Sequence, residues 1–441
     1  MLHTLLLGTA MAILVALAFT RPMVGVIAFD WISFGNPQQE SWGLGTQIPW
    51  ALIAALATVI GCMLSREPKR WPVNAMTVLL LLFIVQISIG TAFAIVPATI
   101  VDPFYIQIIK SLVFLLLTAA LLTTRRRLHA MVWLMVLAVG YYGVRGGVFA
   151  ILTGGGDHVY GPPNSMIADN NQLAVALLVT LPLMNYLRLQ SASRPVRIGL
   201  VAAMMLTLLA VLATYSRGGF LALGVMVVLF WWRSRQRFVS ALALVMALSI
   251  GVAVMPAQWQ QRMFSIQHYQ KDASAQDRLT VWREAFGIAL ARPLTGAGFH
   301  ATAAPSVIHR YYPQGVPRAT HSAWFEVLSE NGFPALCLWI AMVVVALLNL
   351  RWLRRRARGD PDLAWVEDFG RMAEVSIIAF LVGASFLSLA YYDYYFALLT
   401  TIAATRVVMQ RATSGAGATV GLPRRVPAVS SDGWRARSPA R

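Results

Sequence analysis

Long apolar runs, separated by short connectors that carry most of the arginines, constrain this chain more than any motif does. Runs of membrane-crossing length, roughly 17–25 residues, occur near 48–64, 74–96, 104–123, 128–153, 171–188, 198–214, 218–232, 238–255, 323–350, 371–390 and 394–408. Residues 1–34 are also apolar, are interrupted at Arg21-Pro22, and cross either once with a break or twice. Met1 to Phe19 lack a basic leading segment and a clear small-residue cleavage site, so they read as a retained membrane segment. Of the 441 residues, 58% are hydrophobic and 12% charged, too few polar groups to cover a water-facing surface. The expectation is an all-α polytopic membrane protein of about 12 transmembrane helices, with a long, partly helical outward loop between late spans.

Basic connectors give the orientation. Arg66/Lys69/Arg70, Arg125-Arg126-Arg127, Arg188/Arg194/Arg197, Arg233/Arg235/Arg237 and Arg351/Arg354/Arg355/Arg356/Arg358 alternate with connectors poor in charge, and positive connectors stay in the cytoplasm. Segments 35–47, 97–103, 154–170, 214–217, 256–322 and 391–393 then face outward. The expected division is an N-terminal bundle over 1–255 of about ten spans or fewer, an outward catalytic loop over 256–322, C-terminal helices over 323–408 and a disordered basic tail over 409–441. The same topology accounts for the net charge of +18, so no nucleic-acid partner is expected; membrane lipids are. Cys62 and Cys337 lie in separate apolar runs and suggest neither a disulfide nor a metal site. No internal repeat or inverted pair of broken helices points to a secondary transporter. Arg145 is the main charged residue that would serve a transport path.

Several residues could carry chemistry. Arg217, in Tyr215-Ser216-Arg217-Gly218-Gly219, falls at a junction of two apolar runs. It is either a snorkelling arginine in a tight turn or a phosphate clamp, the glycines freeing backbone N–H groups for an anion. Arg278 opens an amphipathic segment with Leu279, Trp282 and Phe286. Beside Asp277 it reads as structural, and the segment as a surface helix with Trp282 at the interface. His321 stands before the next apolar helix, whose dipole disfavours imidazolium. It is either structural or a neutral base, and Thr320 or Ser322 would cap the helix; Glu326, Glu330 and Asn331 follow on it. The outward loop from Gly154 to Gln172 is rich in groups that would suit sugar hydroxyls, Asn170 and Asn171 among them, although Asp169 or Asn170 could simply cap a helix. Tyr391-Tyr392-Asp393-Tyr394-Tyr395 reads first as an interfacial aromatic belt and second as a stacking surface. Asp360-Pro361-Asp362 and Glu40 are weak carboxylate candidates. No phosphate-binding P-loop, nucleophile elbow or metalloprotease motif occurs.

In order along the chain stand a Ser-Arg-Gly-Gly at a span junction, an Asp-Arg-Leu-x-x-Trp, a Pro-Leu-x-Gly-x-Gly (Pro293 to Gly298) and a His-Ser-x-x-x-Glu. Together they resemble the O-antigen ligase and polymerase superfamily over residues 160–345, and Asp169-Asn170-Asn171 looks most like its O-glycosylation ligase branch. The resemblance implies a transferase of the bacterial inner membrane, its active site facing the periplasm. The donor would be a glycan on undecaprenyl diphosphate, and the acceptor a hydroxyl of lipid A-core, a growing polysaccharide or a protein. It implies no metal and no cofactor. At matching positions Arg217 and Arg278 would bind the diphosphate and His321 would activate the acceptor. Asn170, Asn171, Trp282 and Tyr392 are expected to line the substrate.

Overall fold

A computed structural model describes residues 2–41, 43–233 and 273–413, with Ser249, Pro256, Ala257 and Trp259. The described residues are helical, without a strand. In order they form α1 (Leu2–Ala18), α2 (Pro22–Gly35), a short α3 (Leu44–Gln47), α4 (Trp50–Leu64), α5 (Ala75–Ala92), α6 (Ala98–Leu121), α7 (Arg125–Leu152), α8 (Asn170–Gln190), α9 (Arg194–Ala213) and α10 (Arg217–Arg233). Then come α11 (Ala273–Ala291), α12 (Pro305–Tyr311), α13 (Ala323–Ala357), α14 (Ala364–Ala384) and α15 (Asp393–Thr413). The expected run at 238–255 except Ser249, most of the connector ending at Asp272, and the tail beyond Thr413 lie outside the described residues.

Six of these helices, α5, α6, α7, α8, α9 and α13, are long and apolar enough to cross a membrane, and α1, α2, α4 and α10 are apolar but shorter. The chain is thus a multi-pass helical membrane protein by composition, with six such spans among the described residues where about 12 are expected from the apolar runs. Residues 1–34 form two helices rather than one: α2 starts on Pro22, which supplies the fixed φ of a first helical turn. The run at 371–390 is displaced in the structure. α14 begins earlier, with Glu367, Asp368, Arg371 and Glu374 in its first half, and ends at Ala384 before an irregular segment.

Burial sorts the helices into layers. In α8, 78% of the spanning window is buried, against 33% in α5 and in α9. α8 therefore runs through the centre, packed on α7, α9, α10 and α14. α5 presents Val78, Leu81, Leu82, Val85 and Ile89 outward, the apolar surface that a bilayer would solvate.

α13 is broken at Gly332, whose φ of 77° is open to glycine. Pro334 adds a residue without an N–H, so the carbonyl of Glu330 loses its helical partner. The Pro293–Gly298 turn repairs the break. Ala297 N donates to Ser329 O at 2.9 Å, Gly298 N to Glu330 O at 3.0 Å, and Phe333 N to Pro293 O at 2.9 Å. A Cβ on Gly296 would come within 2.4 Å of the Glu330 carbonyl carbon. This sequence motif is a splint for a kinked helix.

Candidate functional site

Arg217 is the first residue of α10, and three devices fix that helix start. Asn170 Nδ2 donates to Thr214 O at 2.6 Å, tying the head of α8 to the turn before Arg217. Tyr215 takes a left-handed backbone, φ 57°, held by its Oη donating to Gly155 O at 2.7 Å and by a parallel stack on His158. Ser216 Oγ accepts from Gly219 N at 3.0 Å and caps the helix. A Cβ on Gly219 would lie 2.7 Å from Ala174 Cβ, so this glycine permits the close approach of α10 to α8. Asp169 Oδ1 caps α8, accepting from the backbone N and the Nδ2 of Asn171, both at 2.9 Å.

Arg278 lies on α11. Its neighbour Asp277 pairs with Arg318 at 2.5 Å, which takes away the carboxylate that the sequence set beside Arg278. The Nε of Arg278 is buried and has no hydrogen-bond partner. Burial and then the charge of Arg217 hold its guanidinium below its usual pKa. Trp282, one turn on, donates from Nε1 to Thr320 O at 2.8 Å and stacks on Phe325 at 5.3 Å and 15°. The indole is thus a clamp between α11 and the segment before α13.

His321 sits in that segment with a left-handed φ of 47°. For a residue other than glycine such backbone costs about 1–3 kcal/mol, and neighbours enforce it. Its N donates to Ser388 Oγ at 3.1 Å, and Thr320 Oγ1 lies 3.3 Å from the same hydroxyl. Ser322 occupies the cap position of α13 but makes no side-chain cap bond, and the Thr320 hydroxyl reaches Ser322 O instead of a helix N–H. Desolvation, then the Arg278 charge, lower the imidazole pKa from its usual 6.5, while Asp169 pulls it up. Arg217, Arg278, His321 and Asp169 therefore lie within electrostatic reach in one chain of neighbours, drawn from α10, α11, the α13 approach and the α8 cap.

Other expectations land elsewhere. Tyr392 is 2% exposed and packs parallel to Tyr394, so a substrate does not reach its ring. The belt reading of the tyrosine cluster fails for the same reason: Tyr391, Tyr394 and Tyr395 are buried too. The segment entering the cluster is drawn inward, because Ala390 N donates to Glu326 Oε2 at 3.0 Å and Trp339 Nε1 to Ala390 O at 3.1 Å. Glu40 is engaged by Arg145 and by the Tyr141 hydroxyl. Asp360 caps a single turn, accepting from Asp362 N at 2.9 Å.

The structure gathers further residues around a cavity. Thr320 and Ser388 line a space of about 300 Å³, together with Phe104, His300, Glu326 and Glu330. Glu330 Oε1 accepts from His300 N at 2.7 Å, and the Tyr391 hydroxyl is a side-chain hydrogen-bond partner of the same acid. Two glutamates one turn apart inside an otherwise apolar span were the available signal, since ionisable groups there face the bundle interior or a wet cavity. Among the described residues no cluster of three or more His, Cys, Asp or Glu is placed to hold a metal ion.

Comparison with known proteins agrees with the geometry in one respect and is silent in others. Residues 1–192 match a family of unknown function (DUF5935). No curated protein matches the chain. Residues 202–340 match the family described as O-Antigen ligase. That segment spans Arg217, Arg278 and His321, and its match supports the O-antigen ligase superfamily.

Proposed function

We propose that the chain is a glycosyltransferase of the bacterial inner membrane. It moves a glycan en bloc from undecaprenyl diphosphate to an acceptor hydroxyl, with lipid A-core as the first acceptor to try, and the reaction faces the periplasm. One observation carries the reading: two arginines and a histidine with a lowered pKa neighbour one another within the O-antigen ligase match, and the nearest acidic residue in sequence is paired with Arg318. Two guanidinium groups in mutual reach repel each other. A diphosphate between them relieves that repulsion and satisfies the Nε of Arg278 through charge-assisted bonds.

The step balances without an enzyme nucleophile. The acceptor oxygen forms a bond to the anomeric carbon as the bond from that carbon to the diphosphate oxygen breaks. The bonding pair leaves with the diphosphate, whose charge Arg217 and Arg278 hold, and the acceptor proton passes to a ring nitrogen of His321. A single displacement inverts the anomeric configuration. The lowered pKa keeps the imidazole neutral near pH 7 and ready to accept a proton. Asn170 and Asn171 serve the site through the α8 cap and the turn before Arg217 rather than through free amides.

The test is transfer from purified lipid-linked glycan by the full chain, with lipid A-core or with no second acceptor. The reading expects core-dependent transfer that survives EDTA and is lost in Arg217→Ala, Arg278→Ala and His321→Ala while membrane levels persist. Chain lengthening without core would make the protein a polymerase of the same superfamily. Normal transfer by His321→Ala would remove the histidine from the mechanism.

A further inference from the structure

The kink in α13 leaves a groove against the end of α5. Gln86, Ile89 and Phe93 line it from one side and Leu294, Thr295 and Pro334 from the other, around a space of about 440 Å³. We infer that this groove binds a bilayer phospholipid with an anionic headgroup, one acyl chain lying in the groove and the phosphate on Arg292. The inference stands apart from the transfer reading, since Arg217, Arg278 and His321 do not line the groove.

The walls select hydrocarbon. Phe93 is 62% exposed and Leu294 69%, and Ile89 lies on the outward apolar face of α5. The amide of Gln86 is taken up by backbone: its Nε2 donates to Leu294 O at 2.7 Å and to Asn331 O at 3.1 Å. Pro334 has no N–H to offer. A sugar or a peptide would leave its polar groups poorly matched here, whereas an acyl chain covers the apolar walls and gives up no hydrogen bond. The volume is ample for such a segment, since small-ligand sites run from about 300 to 1,000 Å³.

The mouth selects an anion. Arg292 Nε donates to Gly296 O at 2.6 Å, and its Nη2 donates to Phe93 O at 2.6 Å and to Thr295 Oγ1 at 3.2 Å. Phe93 and Thr295 both line the groove, so these bonds pin the guanidinium at its edge. They use the Nε and Nη2 faces of the fork and leave the Nη1 hydrogens without an acceptor among the described residues. Nor does a carboxylate pair with Arg292 among those residues. A lipid phosphate at Nη1 supplies the missing acceptor through a charge-assisted bond. The same guanidinium holds the Pro293–Gly298 turn that splints the broken helix, so the lipid and the splint share one side chain.

The experiment uses the full chain in phosphatidylcholine nanodiscs carrying a trace of phosphatidylglycerol or of phosphatidylcholine, each with a photoactivatable diazirine in one acyl chain. Adducts are located by peptide mass spectrometry. They should fall at Ile89, Phe93 and Leu294, and phosphatidylglycerol should give about fivefold more of them, the preference that one arginine confers on an anionic headgroup. Ile89→Trp fills the groove from an exposed position, leaves Arg292 in place and should abolish the adducts. Arg292→Gln should keep adducts but erase the headgroup preference. Equal yields from the two lipids in the parent, an undiminished preference in Arg292→Gln, or parental yields in Ile89→Trp would each overturn the site. Displacement of the phosphatidylglycerol probe by undecaprenyl diphosphate would overturn it too, by giving the groove to a polyprenyl lipid.

Discussion

The two sides of the Thr320–Ser322 segment differ in what they leave unsatisfied. On one side, Arg278 feels the charge of Arg217 and sets its own beside His321, and a guanidinium N–H of Arg278 is buried without an acceptor. On the other, Glu326 and Glu330 are buried and bonded from within the protein, Glu326 by Ala390 N and Glu330 by His300 N and the Tyr391 hydroxyl. The first side calls for an acceptor-rich anion, whereas the second has its acids satisfied by the fold itself. The shared hinge is Ser388, bonded to the backbone of His321 and facing the cavity.

The strongest way to break this contrast is to remove one charge from each side. His321→Ala should lower the rate of transfer about 10²–10⁴-fold, and Arg217→Ala or Arg278→Ala about 10²–10³-fold, measured as turnover of lipid-linked glycan at saturating acceptor. Glu330→Gln, which keeps an oxygen for His300 N, should instead cost far less turnover. Equal losses of turnover from both sides would erase the distinction.

A structural arm comes next in size. Gly332→Ala places a side chain at φ 77° and within 2.6 Å of Pro293 O, so thermal unfolding should show a loss of about 1–3 kcal/mol. The damage should fall on the carboxylate side, because the splint from Pro293 to Gly298 holds the helix turn that carries Glu330. Binding of a lipid diphosphate to the Gly332→Ala protein that survives detergent extraction should persist.

The smallest effect is a pH shift. His321 titrates below 6.5, and only the neutral ring accepts the acceptor proton. Transfer should therefore be flat above that value and fall as pH drops through the lowered pKa. Asp169 pulls this pKa up, so Asp169→Asn, which keeps a good helix cap, should move the acid limb to lower pH. A limb that moves upward would place Asp169 in some other relation to the imidazole.

Much of the helical content was legible because apolar runs of spanning length leave few alternatives, and the helices α4 to α10 follow those runs closely. Partnering was not legible. Sequence adjacency set Asp277 against Arg278, whereas Arg318, some forty positions later, takes the carboxylate. Five tyrosine-region residues looked interfacial by composition, yet the backbone bonds from Ala390 draw the segment into the core. Pro293–Gly298 stood out by its glycines without revealing that they face a broken helix 35 residues on. Arg217, Arg278 and His321 were legible one by one; their neighbourhood depends on how α8, α10, α11 and α13 pack, which no local pattern encodes.

The most direct measurement is a cryo-EM structure of the full chain in nanodiscs with undecaprenyl diphosphate. The account predicts phosphate oxygens about 2.7–2.9 Å from the guanidinium groups of both Arg217 and Arg278, with the His321 ring facing the bond that would break. Diphosphate density in the Glu326–Glu330 cavity, or bound away from either arginine, would contradict it.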